Sequence, residues 1–115
     1  MIQRFDTGPR MSKMIIHNGV AYLAGQVPQD ASADIAGQTG QVLHAIDALL
    51  QLAATDKAHI LRAEIFLADM ADFDGMNEVW EKWVPQGAAP ARATVQAKLA
   101  RSNLKIEIVI IAAVP

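Results

Sequence analysis

The sequence has 115 residues, 52% of them hydrophobic and 19% charged, and its 10 basic and 12 acidic side chains leave a net charge of -2. That length suits one domain, residues 1-115, with a real core. The scattered cations give no footprint for nucleic acid or an anionic membrane, and the absence of cysteine removes disulfides, thiolate metal sites and thiol nucleophiles.

Ile2 to Phe5 fits a short first strand, and Thr7-Gly8-Pro9-Arg10-Met11-Ser12 has the composition of a loop. Lys13 to His17 and Val20 to Ala24 flank Asn18-Gly19, a dipeptide that tolerates positive φ and so predicts a tight type I′ hairpin. The second of these strands runs into Gly25-Gln26-Val27-Pro28. From Ser32 the apolar period changes, with Ile35, Thr39, Val42, Ile46, Leu49 and Ala53 forming the stripe of an amphipathic helix. Asp56 and Lys57 sit in a turn. His59 to Leu67 reads as a strand, with Leu61, Ala63, Ile65 and Leu67 on one face and Arg62, Glu64 and Phe66 on the other. A second helix starts near Asp69 or Asp72, shows Phe73, Met76, Trp80 and Trp83 along one side, and ends before Pro85-Gln86-Gly87. Asn77 falls at the edge of that stripe.

The last two elements are strands. Pro90 to Lys98 alternates, with Ala91, Ala93, Val95 and Ala97 opposing Arg92, Thr94, Gln96 and Lys98, so Arg92 and Thr94 share a face. Leu104 to Ile111 is apolar on both faces from Ile106 onward, as a central strand is, yet holds one carboxylate, Glu107. Strands interleaved with two helices give an α+β two-layer sandwich with both helices on one face of a mixed sheet. The other face, assigned Phe66, Tyr22 or Leu23, Ile110 and Val109, is too apolar for open water, which predicts a closed homo-oligomer. An apolar fraction of 52%, above the roughly 45-50% of ordinary globular chains, points the same way.

For chemistry, exclusions come first. His17, His44 and His59 are not at metal-ligand spacing, so no metal is expected. No phosphate loop, nucleophile elbow or dinucleotide fingerprint occurs. Asp69, Asp72 and Asp74 read as acids favoured by a helix N-terminus. Arg92 and Glu107 remain. A guanidinium offers paired donors to a small carboxylate, and a glutamate can orient or deprotonate a water. The same two residues also fit an internal salt bridge that touches no ligand.

Ala24-Gly25-Gln26-Val27-Pro28, Asp72-Phe73-x-x-Met76-Asn77, Pro90-x-Arg92-x-x-Val95 and Lys105-Ile106-Glu107-Ile108 together resemble the Rid family, also called the YjgF family of enamine/imine deaminases. Ile65 to Asp69, Trp80-x-x-Trp83-Val84 and Thr94 to Ala97 are similar to its short YoaB-type members. The resemblance implies a chorismate-mutase-like fold with a six-stranded sheet and a homotrimer with clefts between subunits. It further implies hydrolysis of 2-enamine and 2-imine acids, such as 2-aminoacrylate, to 2-keto acids and ammonia without a cofactor. Arg92 would then clamp the substrate carboxylate, backbone at Gly25 and Thr94 would hold the imine end, Glu107 would place the water, and Asn77 would shape the pocket. Many members carry a Tyr where this chain has Arg10, a Cys or Ser at Thr94, and a Ser at Ala24; Arg10 would add charge to the cleft and Met11 an apolar wall. The alternatives are a non-catalytic trimer that binds small carboxylates as a sensor, and hydrolysis of a carbamate or related amide. The N-terminus lacks the apolar stretch of a signal peptide and no window reaches the roughly 20 apolar residues of a membrane span, so a soluble cytoplasmic protein is expected.

Overall fold

A computed structural model describes residues 1-115. Its strands are β1 (Gln3–Phe5), β2 (Met14–His17), β3 (Val20–Leu23), β4 (Ile60–Leu67), β5 (Ala91–Gln96) and β6 (Ile106–Ala113), and its helices are α1 (Ile35–Leu52) and α2 (Phe73–Trp83). The strands form one mixed sheet in the order β1-β2-β3-β6-β4-β5, with β4 and β5 parallel and every other pair antiparallel. This is the α+β sandwich expected from the sequence.

Local chemistry sets the turns and helix starts. Asn18 and Gly19 take φ of 51° and 73°, the paired positive values that a type I′ hairpin between β2 and β3 requires. Asp34 caps α1 by accepting from Gly37 N at 2.9 Å. Asp69 rather than Asp72 does the capping work before α2: it accepts from Ala71 N at 2.9 Å and opens a single 3₁₀ turn, Met70–Asp72, whereas Asp72 makes no side-chain cap bond.

The core lies between the sheet and the helices. Val42, Leu43, Ile46 and Leu50 from α1 and Met76 and Trp80 from α2 cover Ile65, Leu67, Ile106, Ile108 and Ile110, all buried. Each buried aliphatic side chain contributes about 1.5-3 kcal/mol, so this layer is the main source of stability. A buried amide ties two loops to it. Gln38 donates from Nε2 to the carbonyls of Ala31, Ala33 and Asn103 at 3.0-3.1 Å, and its Oε1 accepts from Lys105 N at 2.8 Å. The segment that leads into β6 is thereby fixed to α1.

Several facial assignments change. A register shift between Ile60 and Arg62 turns Leu61 outward at 51% exposure and buries Ile60 in its place, so Leu61 does not share a face with Ala63. His59 belongs to a 3₁₀ turn, Lys57–His59, ahead of β4. Leu23 and Ile110 are buried under the helices, which removes them from the uncovered face and leaves Tyr22, Phe66 and Val109 there, joined by Ile111 and Val95. On β5 it is the polar set that faces the helix layer. Arg92, Thr94 and Gln96 are in register with buried Ala63, Ile65 and Leu67, while Ala91, Ala93 and Val95 share the uncovered side with Arg62, Glu64 and Phe66. An edge strand allows this, because its outer flank opens to solvent beside the helices.

No helix is long and apolar enough to cross a membrane.

Candidate functional site

Arg92 is held by α2. Its Nη1 donates to Asn77 Oδ1 at 2.7 Å, and its guanidinium carbon lies 5.5 Å from the Trp80 ring centroid and 5.9 Å from that of Phe73. Phe73, Asn77 and Trp80 are spaced four and three apart, so one helical face presents all three to β5. Aromatic faces attract a cation, and Asn77 fixes one nitrogen. Nε and Nη2 have no partner in the chain and no carboxylate lies within 4.0 Å of the group, which leaves the edge that matches a carboxylate free. Burial pushes the Arg92 pKa below its ordinary value, and the charge of Glu81 opposes that shift. A guanidinium stays protonated at any working pH.

Thr94 follows two residues on. Its Oγ1 is buried without a partner. Ala97 N donates to Leu67 O at 3.0 Å, which sets the phase of the parallel ladder. The N–H groups of Arg92, Thr94 and Gln96 therefore turn away from β4 to the open edge. A backbone donor stands beside the guanidinium.

Glu107 lies elsewhere. It is in register with Phe66, so its carboxylate is on the uncovered sheet face, opposite to Arg92. The two residues are also separated by two strand spacings and three residues along the strands, roughly 14 Å between Cα atoms. An internal salt bridge between them is thus overturned. Glu107 instead folds over Gly25, where an added Cβ would collide with Oε2 and come within 2.8 Å of Cδ. Glycine is required there by close approach. Ala24 N bonds to Lys13 O at 2.9 Å and Gln26 N to Ile108 O at 2.8 Å, while Gly25 itself makes no backbone hydrogen bond. Arg10 and Met11 are exposed in the β1–β2 loop, closed by Gly8 N donating to Met11 O at 2.8 Å; that loop runs into Lys13, the partner of Ala24.

One chain therefore brings together Arg92, Asn77 and Thr94 on one side, and Gly25 and Glu107 on the other. Sequence reasoning missed the roles of Phe73 and Trp80, which read only as core. Their spacing around Asn77 was the available sign. No group of three metal-ligating His, Asp or Glu side chains is present, the Asp69, Asp72 and Asp74 cluster included.

A family model described as Endoribonuclease L-PSP matches residues 1–114. The chain belongs to this family. Among its relatives, the RutC family protein YoaB of Escherichia coli K12 is 47% identical over 113 residues, 98% of each chain. A crystal structure from Neisseria meningitidis, described as a member of the YjgF protein family, superposes with a TM-score of 0.97 at 44% identity, covering 100% of this chain and 96% of that one. Reactive Intermediate Deaminase A, chloroplastic, of Arabidopsis thaliana is 33% identical over 103 residues, 90% of this chain and 54% of that protein. Membership in the L-PSP, or YjgF/Rid, family bears out the family resemblance read from the sequence, including its likeness to YoaB-type members.

Proposed function

We propose that this protein hydrolyses small 2-enamine and 2-imine acids to 2-keto acids and ammonia, in clefts between the copies of a cytoplasmic homotrimer built from one 115-residue domain. The observation that carries the reading is the Arg92 guanidinium, gripped on one nitrogen by Asn77 and left with a free carboxylate-matching edge. Because Arg92 and Glu107 lie on opposite faces, a working site needs Arg92 from one copy and Glu107 from another. The uncovered surface of Tyr22, Val109, Ile111, Phe66 and Val95 is what such a copy would cover.

In this arrangement Arg92 binds the substrate carboxylate, with Asn77 shaping the pocket around it. The outward N–H of Thr94 and the unpaired backbone of Gly25 hold the imine end. An enamine first takes a proton at its terminal carbon to give the protonated imine, the iminium. Glu107 accepts a proton from water as the oxygen adds to the imine carbon, and returns it to the amine of the resulting carbinolamine. Ammonia then leaves as the carbonyl forms, with the hydroxyl proton passing to the freed Glu107 carboxylate. An imine is already electrophilic, so orientation and a placed water supply most of what the reaction needs, and no step calls for a cofactor. Arg10 and Met11 line the approach and set the substrate's side chain. A relative named for reactive-intermediate deamination supports this reading. The family description names a ribonuclease instead, but a chain of net charge -2 with dispersed cations lacks a basic track for an RNA backbone.

The test generates 2-iminobutanoate in situ with a pyridoxal-phosphate dehydratase and follows ammonia release. Acceleration over buffer that Glu107→Gln largely removes is the expected result. Binding of 2-oxobutanoate with no acceleration for any imine would overturn hydrolysis and leave a carboxylate sensor.

A further inference from the structure

The segment between β5 and β6 borders a half-open cavity of about 480 Å³ lined by Ala68, Gln96 to Ser102 and Leu104. Its chemistry is one-sided. Lys98, Arg101 and Ser102 stand around it, no carboxylate lines it, and neither cation belongs to any of the chain's ion pairs, which are Lys13–Asp6, His59–Asp56 and Arg62–Glu64. Two unneutralised cations at one cavity run against the net charge of -2.

Donors accumulate further. Gln96 Oε1 is taken by Met70 N at 2.8 Å, so its Nε2 is left as a free donor. Between Lys98 and Asn103 no backbone N–H finds a partner in the chain; the next amide, Leu104 N, bonds to Arg101 O at 3.2 Å. Loop amides free of intrachain bonds, beside two cations and no carboxylate, favour an anion. Buried Leu104, with Leu99 and Ala68, gives the cavity an apolar floor.

The segment is held in place from behind. Gln38 bonds to Asn103 O and Lys105 N, and Ala68 N donates to Lys105 O at 3.0 Å, so the cavity's closing end is anchored to α1 and β4. Within one chain it is separate from Arg92: Gln96 lies four residues along β5, about 13 Å away.

We propose that this cavity is a second anion-binding site, taking a small organic carboxylate whose short apolar body rests on Leu99 and Leu104 while Lys98 and Arg101 meet its charge. It does not depend on imine hydrolysis at Arg92.

The experiment uses the full-length protein carrying Arg92→Ala, which removes the other anchor, and follows backbone amide resonances during titration. The probes are 2-oxobutanoate, its uncharged analogue butanone and inorganic phosphate. Expected is saturable movement of the 98–103 amides with 2-oxobutanoate, weakened at least 10-fold in a Lys98→Gln/Arg101→Gln variant and by added salt, with butanone inactive. Both cations are exposed, so the variant should retain its fold, and the remaining amide resonances check this. Equal response to butanone, or equal affinity in the double variant, would overturn the proposal. So would phosphate saturating these amides where 2-oxobutanoate does not.

Discussion

The Arg92 edge and the Gly25–Glu107 corner are built in opposite ways. Arg92 is clasped within its own chain, hydrogen-bonded by Asn77 and flanked by two aromatic rings, on the helix side of the sheet. The Glu107 carboxylate makes no hydrogen bond or ion pair within the chain and rests over a glycine on the bare side. A rotamer-rich cation is pre-organised before any ligand arrives, which lowers the entropic cost of binding. An acid left unpaired on an apolar face is completed only by something outside the chain. In the proposed site, the contrast separates a finished half from an unfinished one.

The largest expected effects come from removing the charged group of either half. Arg92→Ala should lower kcat/KM for a 2-imino acid by about 100-fold, the scale of losing a hydrogen-bonded charge partner. Glu107→Gln should lower kcat with little change in affinity for 2-oxobutanoate. If the halves come from different copies, two inactive variants refolded together should recover activity. Random assortment in a trimer restores about one quarter of the sites, because a site needs an intact Arg92 from one chain and an intact Glu107 from its neighbour. Steady-state rates of the mixture against each variant alone read this directly, and no recovery would place both residues in one subunit's site or in none.

A narrower break acts on the unfinished half only. Gly25→Ala puts a methyl group where the Glu107 carboxylate now lies. The carboxylate must rotate away, so kcat should fall about 10-fold while 2-oxobutanoate binding, measured by calorimetry, stays close to that of the parent. An equal fall in affinity would mean that Gly25 and Arg92 act as one unit.

A smaller effect is expected on the finished half. Phe73 is half-buried, and Phe73→Leu keeps an apolar side chain while removing the ring face beside Arg92. A cation–π contact of about 0.5-1 kcal/mol predicts a KM roughly 2- to 5-fold higher, kcat unchanged. Phe73→Tyr, which keeps the face, should restore the parent KM; failure to do so would reduce the ring to packing.

Much of this comparison was legible in the residues. Asn18-Gly19 announced its hairpin because only a few residue types accept positive φ at both positions. The two helices followed from apolar period, and Glu107 stood out as a lone acid in an apolar strand. What periodicity could not give was which face was which. Alternation assigns β5 two faces, but the face that meets the helices depends on sheet order, and an edge strand tolerates its polar set turned inward against Asn77 and Trp80. Leu61 failed for a related reason, since a one-residue irregularity at Ile60/Arg62 inverts the alternation and nothing in the local sequence marks it. The separation of Arg92 from Glu107 is a long-range fact of strand order, invisible to spacing along the chain.

The smallest effect belongs to a group remote from both halves, and it serves as their control. Asp56 accepts from the His59 ring at 2.9 Å and from Ala58 N at 2.9 Å in the turn that opens β4, and these bonds, His59 first, hold its pKa below the ordinary carboxylate value. A folded pKa that is lowered stabilises the protein above the unfolded value, about 3.9, and the stabilisation is lost as pH falls through the folded value. Asp56→Asn should therefore flatten the decline of the melting temperature as pH falls from about 5 toward 3. Catalysis at neutral pH should not move, because the turn touches neither Arg92 nor Glu107. Melting curves of the parent and the variant at several acidic pH values check the first part. A change in kcat/KM at pH 7 would show that β4, which lies between β5 and β6, passes strain from its first turn to the two halves of the site.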